Sequence, residues 1–164
     1  MKISTRGEYG LRAMLYIATH SGQGPGQRAV TSHEIAREQA IPEPYLRQIL
    51  ALLAKDRLIQ SNRGPQGGHI LARTAESITL RDILVSLEGQ TTSIDAILAL
   101  PCAIHIGTEH CAIREVFLKV KESVEAILRG TCLADLVARQ QEILAHDLRV
   151  PFDLGHTCLP VIRE

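Results

Sequence analysis

Between Thr31 and Ala72 the sequence changes its repeat twice, and few folds accommodate the order in which it does so. Thr31 and Glu34 have the spacing of a capping box, which opens a short helix, "SHEIAREQ". "AIPEP" follows, with prolines that suit a connection or a first helical turn but not a helix interior. A further helix carries Leu46, Ile49, Leu50 and Leu53 as one buried stripe and leaves Glu43, Tyr45, Arg47, Gln48 and Ala51 on its other faces. Helical periodicity then gives way to "RLIQSNRGPQGGHILAR", which reads as a strand, a turn containing Gly64, Pro65, Gly67 and Gly68, and a second strand. Two short helices, a tight turn and a hairpin predict a mainly α, winged helix-turn-helix fold, whose second helix would lie in the major groove of DNA. Packing alone, or a winged-helix module that binds protein instead of DNA, is the alternative use of such a helix pair, and the leucine stripe is core on every reading.

Charge distinguishes the two halves of the chain. Net charge is zero over 164 residues, yet residues 1–73 carry ten Lys and Arg against five Asp and Glu, and the remainder carries eight against thirteen. The first half is therefore +5 and the second −5, an asymmetry that suits a polyanionic partner. Arg63 stands at the wing tip, where a cation can reach a phosphate or a narrow minor groove. With it, Tyr45, Arg47 and Gln48 on the recognition helix, Ser32 at the start of the preceding helix, and Gly67 and Gly68 in the wing form the expected DNA-binding set.

The flanking segments are helical by pattern. Ser4 or Thr5 caps a first helix whose apolar residues are Leu11, Met14, Leu15 and Ala18, and Thr79 caps a short helix, "LRDILVSLEG". From Cys111 to Arg129, Ile113, Val116, Phe117, Val120, Val124, Ile127 and Leu128 recur at helical spacing, ended by Gly130. So regular a stripe on a long helix needs a surface to cover it. A second copy of the chain is one such surface, with Ile113, Phe117, Val120 and Val124 at the dimer interface; the helix "CLADLVARQQEILAH" of the same chain is the other. Apolar residues make up 45% of the chain, enough for a core, and no run reaches the roughly 18 residues of a membrane span. "MKISTRGEYG" lacks the pattern of a secretory signal, so a cytoplasmic location is expected. In that compartment four cysteines favour metal binding, redox sensing or plain burial over structural disulfides.

"PCAIHIGTEHC" brings Cys102, His105, His110 and Cys111 into eleven residues. Thiolates suit iron–sulfur clusters or zinc, and imidazole completes either kind of site. The spacing between the two cysteines is not the tight pair of a zinc knuckle, which favours a cluster; zinc, a reversible thiol switch and no cofactor at all are the alternatives. No nucleophile motif, phosphate-binding glycine loop or paired carboxylate suggests an enzyme.

Four segments, "MKISTRGEYGLRAMLYIA", "IPEPYLRQIL", "NRGPQGGHIL" and "GTCLADL", resemble the start, recognition helix, wing and last helix of the Rrf-two family of bacterial transcription regulators. The likeness covers roughly residues 1–146, and its most specific piece is "RGPQGGH", where His69 replaces the family's wing tyrosine. This resemblance implies a homodimeric winged-helix protein that binds a double-stranded DNA operator as a repressor or activator. It also implies a role for the cysteines, because many members hold an iron–sulfur cluster with three cysteines in a loop before the dimer helix. Cys111 matches the last of those and Cys102 an earlier one; the third is missing. Other members complete the site with histidine or a carboxylate, and Glu8 matches the carboxylate position. A two-iron cluster on Cys102 and Cys111, with Glu8, His105 or His110 completing it, is the favoured expectation. The corresponding division is a DNA-binding domain over 1–90, a sensor loop over 91–110, dimerisation helices over 111–147 and a flexible tail over 148–164.

Overall fold

The computed structural model of the chain describes residues 3–22, 27–64, 67–89 and 112–146. Helix α1 (Thr5–His20) begins where Ser4 caps it, the hydroxyl accepting the Gly7 N–H at 3.3 Å. The face it buries differs from the expected stripe: Gly7, Gly10, Ala13, Met14 and Ile17 point inward, while Leu11, Leu15 and Ala18 are half-buried. Small residues win this face because they let another helix approach closely. A Cβ on Gly10 would overlap Leu87 of helix α4 (Leu80–Glu88) and lie 3.5 Å from Ile49 Cγ2. In a core packed to crystal density, that space has no other use.

Helix α2 (Ser32–Gln39) forms only half of the expected capping box. Thr31 accepts the Glu34 N–H at 3.1 Å, but the Glu34 carboxylate turns outward to Arg28 at 2.8 Å and to the Tyr16 hydroxyl at 3.3 Å. A guanidinium is a stronger partner for a carboxylate than a backbone amide is. Ala40, at φ 50°, ends α2 in the left-handed conformation, and Ile41 N–H closes back on Ala36 O at 2.9 Å. Pro42 then leads into helix α3 (Glu43–Lys55), with Pro44 in the first turn where no backbone donor is lost. The predicted stripe is fully realised: Leu46, Ile49, Leu50 and Leu53 are all buried, each contributing about 1.5–3 kcal/mol on transfer from water.

Strands β1 (Ile59–Asn62) and β2 (Gly68–Leu71) pair antiparallel, with Ile59 opposite Leu71 and Ser61 opposite His69. Beyond a single 3-10 turn (Ala75–Ser77), Thr79 and Asp82 close a complete capping box on α4, at 3.1 and 3.2 Å, and Gly89 at φ 76° ends it. Helices α5 (Ala112–Gly130) and α6 (Leu133–Ala145) follow. Helix α6 returns to α1, and the Leu133 N–H bonds to Ile78 O at 2.8 Å. Its Leu133 side chain is fully buried in the same core as α1 to α4, so the segment expected to serve dimerisation also completes the winged-helix core. No described helix is long and apolar enough to cross a membrane.

Candidate nucleic-acid interface

The first turns of α2 and α3 and the hairpin form one surface: a histidine on the hairpin joins it to α2, and His33 with Glu43 joins α2 to α3. His69 lies on β2; its Nε2 is 2.9 Å from Ser32 Oγ on α2 and its Nδ1 is 2.9 Å from Ser61 Oγ on β1. A neutral imidazole donates from one nitrogen and accepts at the other, so two hydroxyls satisfy it. Backbone bonds reinforce the joint: His69 N–H to Val30 O at 2.8 Å and Val30 N–H to His69 O at 3.0 Å. Burial pushes the His69 pKa below its ordinary 6.5, which favours the neutral ring.

Ser32 is thus half-buried and engaged with the wing rather than freely presented. Gly67 and Gly68, also expected at the DNA surface, have backbone reasons to be glycine. A Cβ on Gly67 would lie 2.5 Å from Asn62 O, and one on Gly68 2.7 Å from Val30 O, with Gly68 at φ 155°. Arg63 is exposed at the start of the turn.

On α3, Arg47 and Gln48 are exposed, as expected for residues off the leucine stripe. Tyr45 is half-buried; its ring packs on the core and meets Tyr9 edge-on at 6.0 Å between centroids. The Arg12 guanidinium lies 5.6 Å from the Tyr9 ring and donates to Gln39 O at the end of α2. Two residues of this surface were not singled out in the sequence as DNA-facing. Glu43 accepts from Arg47 Nη2 at 2.6 Å and faces His33 Nδ1 at 3.3 Å. Arg47, then His33, hold the Glu43 carboxyl below its usual range. The i, i+4 spacing of Glu43 and Arg47 is the sequence signal for this pair.

The fold that carries this surface is shared with solved regulators. The structure matches CymR, "the Global Cysteine Regulator of B. subtilis", with a TM-score of 0.68 at 32% identity, covering 85% of this chain and 98% of that one. It matches T. potens IscR with the same TM-score at 38% identity, covering 87% and 90%. By sequence, the HTH-type transcriptional regulator CymR of Bacillus subtilis is 33% identical over 138 residues, 84% of this chain and 91% of its own length. Residues 3–139 match the Rrf2 family, described as an iron-dependent transcriptional regulator. The chain belongs to the Rrf2 family. It is a winged-helix, DNA-binding transcription regulator, and its relatives are regulators rather than enzymes.

Within this Rrf2 chain, the remaining expected residues divide by position. Cys102, His105, His110 and Cys111 lie outside the described residues. Glu8 is on the exposed side of α1, 3.7 Å from Arg12 Nη1. Cys132, which is not among the expected ligands, is half-buried as the N-cap residue of α6, its thiol donating to Asp135 Oδ2 at 3.1 Å. The α5 stripe is split lengthwise: Leu128 is buried, Phe117 and Val124 are half-buried, and Ile113, Val116, Val120 and Ile127 are 64%, 59%, 43% and 47% exposed.

Proposed function

We propose that this Rrf2 regulator works as a homodimer whose affinity for an operator duplex is set through the loop between Cys102 and Cys111. The observation that carries the reading is the open face of α5, where four large aliphatic side chains stand more than two-fifths exposed along one stripe. Single exposed apolar residues are ordinary; a contiguous stripe of them marks a contact surface. A second copy is the fitting occupant, because a reader with one recognition helix per chain gains specificity by placing two of them on successive half-sites. In this reading Arg47 and Gln48 of α3 read base edges, while Arg63 on the wing meets the backbone.

Cys111 directly precedes Ala112 in the sequence, and Ala112 is the first residue of α5. Whatever Cys111 binds therefore acts directly on the start of the proposed dimer helix. Cys102 and Cys111 would hold a two-iron cluster, with Glu8, His105 or His110 completing its ligands; such mixed ligation makes a cluster labile and able to report oxidants or iron supply. The description of the family as iron-dependent supports this reading. Thiol chemistry without a cluster is the second reading, supported by the 32% identical CymR of Staphylococcus aureus, solved in an oxidized form. Zinc is the third, on donor chemistry alone. Purification without oxygen followed by assay of iron, sulfide and zinc tests them. The cluster reading predicts iron and sulfide in the wild type, their loss in Cys102→Ala and Cys111→Ala, and their retention in Cys158→Ala. Protein that contains neither element, with both variants still regulating, would rule out the loop as the sensor.

A further inference from the structure

Glu43 opens the recognition helix with both carboxylate oxygens engaged. Oε1 accepts from Arg47 Nη2 at 2.6 Å, one turn further along α3, and Oε2 meets His33 Nδ1 of α2 at 3.3 Å. The Arg47 side chain is 70% exposed and that of His33 78%, whereas Glu43 is 29% exposed. Ion pairs this accessible add little to folding stability, because water screens them and the long side chains lose freedom. Geometry is what the pair supplies. A free arginine samples many rotamers, and fixing one of them opposes binding; a carboxylate that already holds one N–H of the guanidinium removes part of that cost before the partner arrives. The remaining N–H groups of Arg47 stay available in a restricted orientation. Any negative charge near DNA also repels phosphate, and here an arginine and a histidine flank it.

We propose that Glu43 is a positioning residue for base reading: it presets the Arg47 guanidinium to take the edge of a guanine in the major groove. Two-pronged contact from arginine to guanine O6 and N7 is the commonest specific pairing in that groove, and it depends on the orientation of the guanidinium plane. The inference rests on the proposed DNA-reading face of α3 and assigns that face a residue outside the DNA-binding set expected from the sequence.

The test uses the full-length protein and its Glu43→Gln, Arg47→Ala and doubly substituted variants. Each selects from a library of random-sequence duplexes, and affinities are then measured for the wild-type-selected duplex and its single-base-pair variants. Arg47→Ala is expected to lose about tenfold of its preference for guanine at one position per half-site. Glu43→Gln should relax the same position and keep the others, and the double variant should be no worse than Arg47→Ala alone, since the carboxylate acts through that arginine. A purely structural carboxylate would shift the thermal midpoint without relaxing one base position. The inference is overturned if Glu43→Gln keeps the full wild-type motif, relaxes a different position, or strengthens binding to all duplexes alike, as a carboxylate that only repels phosphate would. Failure of the wild type to enrich any motif would instead overturn the DNA-reading face, and this inference with it.

Discussion

At the scale of single residues, His69 shows how a substitution within a motif changes the physics of the wing. The family's tyrosine ordinarily ionises far above neutrality, whereas an imidazole, here held between Ser32 and Ser61, has an ordinary pKa of 6.5 that burial lowers. Burial lowers its pKa, so the folded protein binds a proton at His69 less readily than the unfolded chain does. The associated stability is fully present above about pH 6.5, the unfolded value, and is lost as pH falls through that value and then the folded one. Thermal midpoints measured between pH 7.5 and 5 should therefore fall more for the wild type than for His69→Gln, which can still donate and accept. Parallel curves would show that the ring does not titrate with folding. The sequence singles out His69 as the odd residue in the wing. It could not supply the partners, because Ser32 lies 37 residues away and meets the ring only after the hairpin docks on α2.

At the scale of elements, legibility followed how much of an element's fate is decided locally. Helix α3 was fully legible: its stripe of Leu46, Ile49, Leu50 and Leu53 is wide, regular and entirely buried. Helix α1 was legible as a helix but not in its orientation, since its inner face is set by Leu87 and Ile49 pressing on Gly10, and apolar periodicity cannot see a glycine contact. The capping box at Thr31 misled for a related reason, its Glu34 being claimed by Arg28 from outside the helix. Helix α5 was legible as an amphipathic rod, and its partly open stripe leads to a prediction. Replacing Phe117 and Val120 with Glu should bury unpaired charge at the seam and convert a dimer to a monomer in sedimentation at micromolar concentration. A wild type that sediments as a monomer under the same conditions would remove the basis for this face.

At the scale of the whole molecule, the charge asymmetry becomes a surface. All four glutamates of residues 1–73 are engaged by arginines: Glu8 by Arg12, Glu34 by Arg28, Glu38 by Arg37 and Glu43 by Arg47. The excess positive charge therefore rests on the other basic residues of that half, Arg63 on the wing among them. The sequence displayed the asymmetry, but not the contact between His33 of α2 and Glu43 of α3, which joins the two helices beside Arg47. Binding through such a surface releases counterions from DNA, so its strength falls linearly with salt on a double logarithmic scale. The most direct test measures the affinity of the selected duplex and of a random duplex over a range of salt, for the wild type, Arg47→Ala and Arg63→Ala. The account predicts a steep slope for the wild type and a slope shallower by about one unit per protomer for Arg63→Ala. For Arg47→Ala it predicts a loss of about 1–3 kcal/mol on the selected duplex alone. Equal affinity of all three proteins for both duplexes at every salt concentration would contradict it.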